Sequence, residues 1–285
     1  MIKKLCGGFI LLTALTVKFM EKEKGIKGLL ARLRRDTATV DVDRARGVYF
    51  KHITYTSYGG KLHLERLEKN IGDSRFSIIC DERIELPEKS NMKRFYNTDF
   101  SARLCTNFVL NLLKECEFSE KIKIGIYDTD GKNSDFLAHI MKYTSDVTVV
   151  TNSADCYHEA IENIMEEMGA CAVVTQSTDE LASCDIIIAP QNITESFPVR
   201  DDALVFTIGR PKAEVGGELY YKYCFKMPNG FDRIKPEELD AEYFCSALYT
   251  LGRQYQLGSL VPTLCVNYST SQTAKSLGAY IERFA

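Results

Sequence analysis

Between residues 121 and 209 the chain alternates short apolar strands with helices, and this alternation restricts its fold more than any other feature. Each strand is apolar throughout, as expected where a sheet is covered on both faces. Such an alternation predicts a parallel sheet joined by right-handed crossovers. In chain order the predicted elements are KIKIGIYD, SDFLAHIMKYT, DVTVVT, ADCYHEAIENIMEEMG, ACAVVT, STDELASC, DIIIAP and DALVFTIG.

The regions on either side of this sheet complete the predicted organisation of an α/β protein. Residues 1–35 are predicted to form an apolar and basic helical segment. Residues 36–118 form a small α/β unit, because β-branched and aromatic residues are followed by periodic helices. Residues 119–212 form the parallel-sheet domain. Residues 213–285 hold a lid or hairpin and then C-terminal helices that pack back.

Composition excludes several classes of protein. The net charge is −3, with no strong basic block outside the N-terminus, so no nucleic-acid partner is predicted. The ten cysteines form no C-x-x-C pair, and several lie in apolar runs, which is typical of buried, reduced thiols in the cytoplasm. The four histidines are not at ligand spacing from those cysteines, so no zinc site is predicted.

The N-terminal segment supports two interpretations. Lys3 and Lys4 precede an apolar run from Leu5 to Val17, which is shorter than the roughly 20 residues that a membrane-spanning helix needs. The segment GIKGLLARLRRD that follows is amphipathic and basic, a pattern compatible with a membrane interface. Residues 1–35 are thus either an ordinary packing helix or a contact with the inner face of the membrane.

The stretch IGIYDTDGKNSDF, which begins at Ile124, places a strand directly before an acidic turn and a helix. Phosphate-binding loops carry glycine where this turn carries Asp128 and Asp130. One interpretation is an Asx-type turn, because Asp and Asn are favoured at the ends of strands and at helix caps. The alternatives are an altered nucleotide or small-molecule site and a pair of catalytic carboxylates.

The order of elements over residues 121–209 resembles the Rossmann domain of NAD(P)-dependent dehydrogenases, with a cadence similar to the shikimate and quinate dehydrogenase group. The resemblance implies a Rossmann-like parallel sheet. The glycine fingerprint of that family is absent, because Asp128, Asp130 and Asn133 stand at its glycine positions. Two carboxylates there would repel a pyrophosphate by several kcal/mol, as an order of magnitude. NAD(P) is therefore disfavoured as a cofactor.

The segments IYDTDGK and VTVVTNS resemble the first two motifs of haloacid-dehalogenase-type phosphatases. This resemblance implies that Asp128 is a nucleophile, Asp130 an acid/base and Thr151 a phosphate anchor, with Mg²⁺ as the cofactor of this alternative alone. Lys132 replaces the Thr or Val of the first motif. The segment CDIIIAPQN lacks the acid pair that completes the metal site of that family.

The carboxyl ends of the strands, in the cleft between the two α/β units, are the predicted site for a small-molecule ligand. Arg210 follows the fifth strand and either clamps an anion there or lies in a solvated loop. The candidate catalytic residues are Asp128 and Asp130. The candidate ligand-binding residues are Gly131, Asn133, Thr151, Asn152, Gln191, Gly209 and Arg210.

These observations leave three functions open. The chain is a divergent Rossmann-like protein that binds a nucleotide or another small ligand at the carboxyl edge of its sheet. Alternatively, it is a Mg²⁺-dependent phosphatase relative that uses Asp128. The third hypothesis is a non-enzymatic, membrane-associated structural protein that has lost the site. Fold alone does not decide among them.

Overall fold

The chain forms two compact units, each completed by a segment that returns from later in the sequence. The first unit combines Met1–Asn97 with Met227–Leu257, and the second combines Thr98–Lys226 with Gly258–Ala285. The computed structural model describes residues 10–20, 34–60, 62–63, 67, 77–81, 83–86, 92–117, 119–251 and 260–281.

Strands and helices alternate along the described residues. The strands of the first unit are β1 (Ile10–Phe19), β2 (Thr37–Ala45), β3 (Val48–Ser57) and β4 (Ile79–Cys80). Those of the second are β5 (Ile124–Tyr127), β6 (Val147–Val150), β7 (Val173–Thr175), β8 (Ile186–Ala189), β9 (Leu204–Thr207), β10 (Glu218–Tyr220), β11 (Lys222–Cys224), β12 (Leu264–Val266) and β13 (Ser271–Gln272). The α-helices are α1 (Asp99–Glu115), α2 (Leu137–Ile140), α3 (Asp155–Met168), α4 (Ala241–Leu251) and α5 (Ala274–Ile281). Short 3-10 helices span Ser119–Lys121, Ser134–Phe136 and Thr178–Ser183.

The first unit is built on a mixed sheet in the order β2-β3-β1-β4. β1 runs parallel to β3 and β4, whereas β2 is antiparallel to β3. Arg46 and Gly47 form the two-residue turn between β2 and β3, with φ angles of 46° and 82°. Two positive φ angles are typical of the type I′ turn, whose twist matches that of the strands it joins. One sheet face buries Phe50 edge-to-face against Phe244 of α4, with ring centroids 5.4 Å apart.

β1 corrects the prediction that residues 1–35 form a helical segment. Residues 10–19 are a strand between β3 and β4, and the neighbouring Ala14 and Leu15 are both fully buried. A central strand is apolar on both faces, so its sequence lacks the alternation that distinguishes a strand from a helix. Residues 1–9 and 21–33, which carry most of the basic pattern, lie outside the described residues. Among the described helices, none combines the length and apolarity needed to cross a membrane.

Asp81, directly after β4, makes the stability of the first unit depend on pH. Arg83 donates to it from its backbone N–H and Nε, both 2.8 Å from Oδ1, and from Nη2, 2.7 Å from Oδ2. The side-chain hydrogen bond from Arg83 is the main cause that lowers the pKa of Asp81 to about 2.

We expect Asp81→Asn to flatten the acid side of the stability profile. The folded pKa lies below the unfolded value of about 3.9, so the stabilisation is present above that value and is lost as pH falls towards 2. Urea unfolding between about pH 5 and pH 2 measures this slope. An identical slope in the wild type and the variant would contradict the assignment.

The second unit contains a fully parallel sheet in the order β10-β9-β8-β5-β6-β7. Counted from β5, this is the 3-2-1-4-5-6 order of the Rossmann fold. The predicted Rossmann-like parallel sheet is therefore confirmed. β5 lies at its centre, and Ile124 pairs with Val147 of β6 on one side and Ile186 of β8 on the other.

Helices cover this sheet, and α5, the last described helix, packs against α1. Phe108 of α1 packs on Phe206 of β9, with ring centroids 5.7 Å apart. The close approach of α5 to the end of α1 occurs at Gly278, where a Cβ would lie 3.5 Å from Cys116 Sγ. The prediction of a C-terminal helix that packs back is confirmed for α5. α4 instead belongs to the first unit.

The predicted lid or hairpin after residue 213 is also different in the structure. β10 pairs in parallel with β9, while β11 pairs antiparallel with β12 in a separate sheet of order β11-β12-β13. The two strands are adjacent in sequence but do not pair with each other. Their polar-aromatic sequence predicted β structure correctly but did not specify the partner strands, which are the preceding strand β9 for β10 and the distant strand β12 for β11.

Candidate functional site

The loops that follow β5, β6 and β8 meet at the carboxyl edge of the parallel sheet. The chain order reverses between β5 and β8, which is the switch point where doubly wound sheets bind ligands. Thr129, in the loop after β5, accepts or donates hydrogen bonds to residues of the loops after β6 and β8. Its carbonyl accepts from the backbone N–H of Asn152 at 3.1 Å and from Oγ1 of Thr151 at 3.4 Å. Sequence reasoning did not single out Thr129.

Gln191 joins the loop after β8 to this network. Its Oε1 accepts from both the backbone N–H and the Oγ1 of Thr129, each at 3.0 Å. Its backbone carbonyl accepts from Oγ1 of Thr207 in β9 at 2.8 Å. The side-chain amide nitrogen has no partner among the described residues. Hydrogen bonds of Gln191 therefore connect the loops after β5 and β8 across the switch point.

The carboxylate of Asp128 is enclosed within the loop after β5. Only 1% of the residue is exposed. Oδ2 accepts from the backbone N–H of Asn133 and from the hydroxyl of Tyr157, both at 2.8 Å, and Oδ1 accepts from Nδ2 of Asn133 at 3.3 Å. The carboxylate closes the loop as the side chain of an Asx-type turn does, but it spans five residues instead of two, and a buried phenol strengthens the closure.

Tyr157 is a site residue that the sequence did not reveal. It lies on α3 and is fully buried. Burial, and then the negative charge of Asp128, raise the pKa of its hydroxyl, so it stays protonated and donates to the carboxylate. No spacing rule connects the two positions, which are 29 residues apart.

The same loop lacks the geometry of a phosphate-binding loop. Gly131 has a φ of 69°, and a Cβ at this position would lie 2.7 Å from Cβ of Cys156. The glycine therefore allows the loop to pack against the start of α3, not against a ligand. The following helical segment consists of one 3-10 turn and the four residues of α2, so few peptide dipoles are aligned there. The backbone N–H of Asn133 already binds Asp128.

Asp130 differs from Asp128 in its exposure and in its bonding partners. Its side chain is 60% exposed and forms a surface ion pair with Lys132, with 2.7 Å between Oδ2 and Nζ. Among the described residues, no group of three or more His, Cys, Asp or Glu side chains could hold a metal ion. Thr151 is buried, and its Oγ1 accepts from the backbone N–H of Ser153 at 3.0 Å. Each of the three residues required for the phosphatase hypothesis already has a partner in the chain: Asp128 and Thr151 in the buried loop, and Asp130 at the surface.

A groove of about 800 Å³ lies beside the connection between β9 and β10. It begins at the carboxyl edge, where Gly209 adopts a φ of 63° and donates its N–H to the carbonyl of Tyr221 at 3.1 Å. Arg210 follows and stacks over the ring of Tyr268, with its Cζ 4.8 Å from the centroid. Tyr221 meets the same ring edge-on at 5.2 Å. The lining residues are Arg210, Pro211, Lys212, Ala213, Glu214, Val215, Gly216, Gly217, Glu218, Leu219, Asn267, Tyr268 and Ser269.

The groove carries charge of both signs. Arg210 and Lys212 are exposed, and among the described residues neither side chain has a hydrogen-bond or salt-bridge partner. Of the two acids, Glu218 accepts from the hydroxyl of Tyr220 at 2.8 Å. The groove thus presents two exposed cations without an acidic partner among the described residues, whereas the carboxylate of Asp128 is closed off by its own hydrogen bonds.

Comparisons with solved structures include the following two partial likenesses. The Δ1-pyrroline-2-carboxylate reductase of Thermococcus litoralis, solved with NADH and L-proline, matches 43% of this chain and 41% of its own, at 14% identity and a TM-score of 0.29. The L-tryptophan dehydrogenase of Nostoc punctiforme matches 71% of this chain and 65% of its own, at 7% identity and a TM-score of 0.31. The chain thus spans less than two thirds of either protein. Both TM-scores are low, so the fold assignment rests on strand order and direction. No protein-family model and no curated protein matches the sequence.

Proposed function

We propose that the second unit binds a small anionic molecule with a flat apolar part, in the groove that begins at Arg210. One observation carries this proposal. The guanidinium of Arg210 stacks over Tyr268 at 4.8 Å, at the side of a groove of about 800 Å³. Ligand pockets of proteins span roughly 300–1,000 Å³, so the space suits a small molecule.

The stacking leaves Arg210 ready to bind an anion. A guanidinium that lies over an aromatic ring leaves N–H groups available to other partners, and its planar fork matches a carboxylate or phosphate. Fixing the side chain before binding lowers the entropy lost on binding. Lys212 adds a second positive charge at the same groove, while Val215 and Leu219 supply an apolar wall.

The contacts of Asp128 argue against the phosphatase hypothesis and against NAD(P) binding in the loop after β5. A carboxylate that already accepts three hydrogen bonds inside the protein is not placed to attack a phosphoryl group. It also occupies donors of the loop where a pyrophosphate would bind, so NAD(P) remains disfavoured. The membrane-associated hypothesis depends on residues 1–35, of which 1–9 and 21–33 lie outside the described residues.

Arg210→Ala should weaken the binding of a small anion at least tenfold. Bidentate, charge-assisted hydrogen bonds are among the stronger polar contacts, and a tenfold loss corresponds to about 1.4 kcal/mol. A thermal-shift panel of inorganic phosphate, AMP, phenylpyruvate and NAD finds a ligand, and titration calorimetry then compares its affinity for the wild type and the variant.

The matched control is Lys132→Ala, which removes an exposed cation from the loop after β5 instead. We expect it to keep wild-type affinity, and we expect Arg210→Ala to keep wild-type stability within about 1 kcal/mol. A ligand that loses affinity in the Lys132 variant alone would overturn the proposal. A panel without any anion that raises the melting temperature would also overturn it.

A further inference from the structure

β2 forms one edge of the sheet in the first unit and is open to solvent along nearly its whole length. The strand pairs with β3 over all nine residues, from Thr37 to Ala45, and no described strand lies on its other side. Val40 and Val42 are 40% and 60% exposed. The outward N–H and C=O groups of β2 thus form a regular row that has no strand partner in the described part of the chain.

β2 carries only one of the usual protections of a sheet edge, the charged side chains of Asp41, Asp43 and Arg44. Proteins commonly blunt an edge by making it short, or by placing charged side chains, a proline or a bulge on it. The opposite edge strand, β4, has only two residues. β2 has nine residues without lysine or proline, its pairing with β3 is unbroken, and the tight turn at Arg46-Gly47 holds it in place.

One face of this edge is acidic. Asp41 and Asp43 project to the same face, opposite His52 and Phe50 of β3. Among the described residues, neither carboxylate has a salt-bridge partner. On the other face Val40 and Val42 are exposed. The edge therefore combines backbone groups that have no strand partner among the described residues, negative charge on one face, and Val40, Val42 and the cation Arg44 on the other.

We propose that β2 docks an extended segment of a partner protein in which basic and apolar residues alternate. The segment would add to the sheet as a further strand, with its basic side chains beside Asp41 and Asp43 and its apolar side chains beside Val40 and Val42. A second copy of this chain fits poorly. In the antiparallel register that pairs all nine residues of β2, Asp41 lies opposite Asp41 of the other copy, and like charges in that position are destabilising.

A synthetic peptide that alternates valine and lysine tests this interaction with the full-length chain. Fluorescence anisotropy measures its affinity, and hydrogen exchange locates the protected amides. We expect protection within residues 37–45, and at least tenfold weaker binding to the double variant Asp41→Asn, Asp43→Asn. The matched control is Asp201→Asn, an exposed acid of the second unit, which should bind as the wild type does.

Three outcomes would overturn the proposal. The first is equal affinity for a peptide in which glutamate replaces every lysine. The second is unchanged affinity for a peptide in which every amide is N-methylated, because such a peptide has no backbone N–H left to donate to β2. The third is dimerisation of the chain in sedimentation experiments that Val42→Lys abolishes, which would place a second copy on this edge.

Discussion

Replacing Asp128 by alanine is expected to lower the free energy of unfolding by about 3 kcal/mol, whereas Asp130→Ala should change it by less than about 0.5 kcal/mol. The two carboxylates are two residues apart and differ in burial. Asp128 is 1% exposed and binds the backbone N–H of Asn133 and the hydroxyl of Tyr157. Its removal leaves both donors without a partner in a buried site, and unpaired donors are costly there. Asp130 loses only a surface ion pair.

Urea unfolding of the two alanine variants measures this difference. A double-mutant cycle with Asp128→Asn and Tyr157→Phe isolates the contribution of the phenol, and we expect a coupling energy of about 1 kcal/mol. Equal destabilisation by Asp128→Ala and Asp130→Ala would show that the hydrogen bonds of Asp128 with Asn133 and Tyr157 do not stabilise the loop after β5. A large loss of phosphatase activity in Asp128→Asn at unchanged stability would restore the nucleophile hypothesis.

The central sheet could be predicted because its evidence is local in the sequence. Each strand from β5 to β9 is a short apolar run, and each is separated from the next by a segment with helical or turn character. Parallel strands need such crossovers, so the class of the sheet follows from the alternation. The end of α3 could also be predicted, since Gly169 adopts the left-handed conformation with a φ of 65° expected at a helix C-terminus.

The N-terminal strand could not be predicted in the same way. β1 lies between two strands and is buried on both faces, so its composition is that of a buried helix as much as a strand. What distinguishes the two is pairing with β3, and the partner residues begin 38 positions later, from Ile10 to Val48. Such pairing is decided by tertiary contacts that no local pattern records.

The candidate site likewise contains residues that the sequence could predict and residues that it could not. The acidic turn was visible in the sequence because Asp128 and its partner Asn133 are five residues apart. Tyr157 and Tyr268 were not, because each meets its partner through the fold: Tyr157 reaches Asp128 from α3, and Tyr268 reaches Arg210 from the turn between β12 and β13. Aromatic residues at such distances carry no spacing signal.

Gly217→Ala is expected to destabilise the chain by about 3 kcal/mol, because it combines backbone strain with a steric clash. Gly217 has a φ of 73°, and an added Cβ would lie 2.5 Å from the carbonyl oxygen of Ala203. That oxygen accepts the N–H of Glu218 at 2.8 Å, next to the first residue pair between β9 and β10. Relieving the clash therefore requires the backbone to shift where the edge strand begins.

Gly169→Ala provides the matched control for this prediction. Its φ of 65° is nearly the same, but nothing lies within 4 Å of the Cβ that would be added. It should cost only the conformational part, about 1 kcal/mol, so the difference between the variants in urea unfolding measures the clash. Because Gly217 lines the groove, Gly217→Ala should also weaken anion binding at temperatures where it remains folded, whereas Gly169→Ala should not. Equal stability of the two variants would mean that the connection before β10 yields to the added carbon, and it would contradict this prediction.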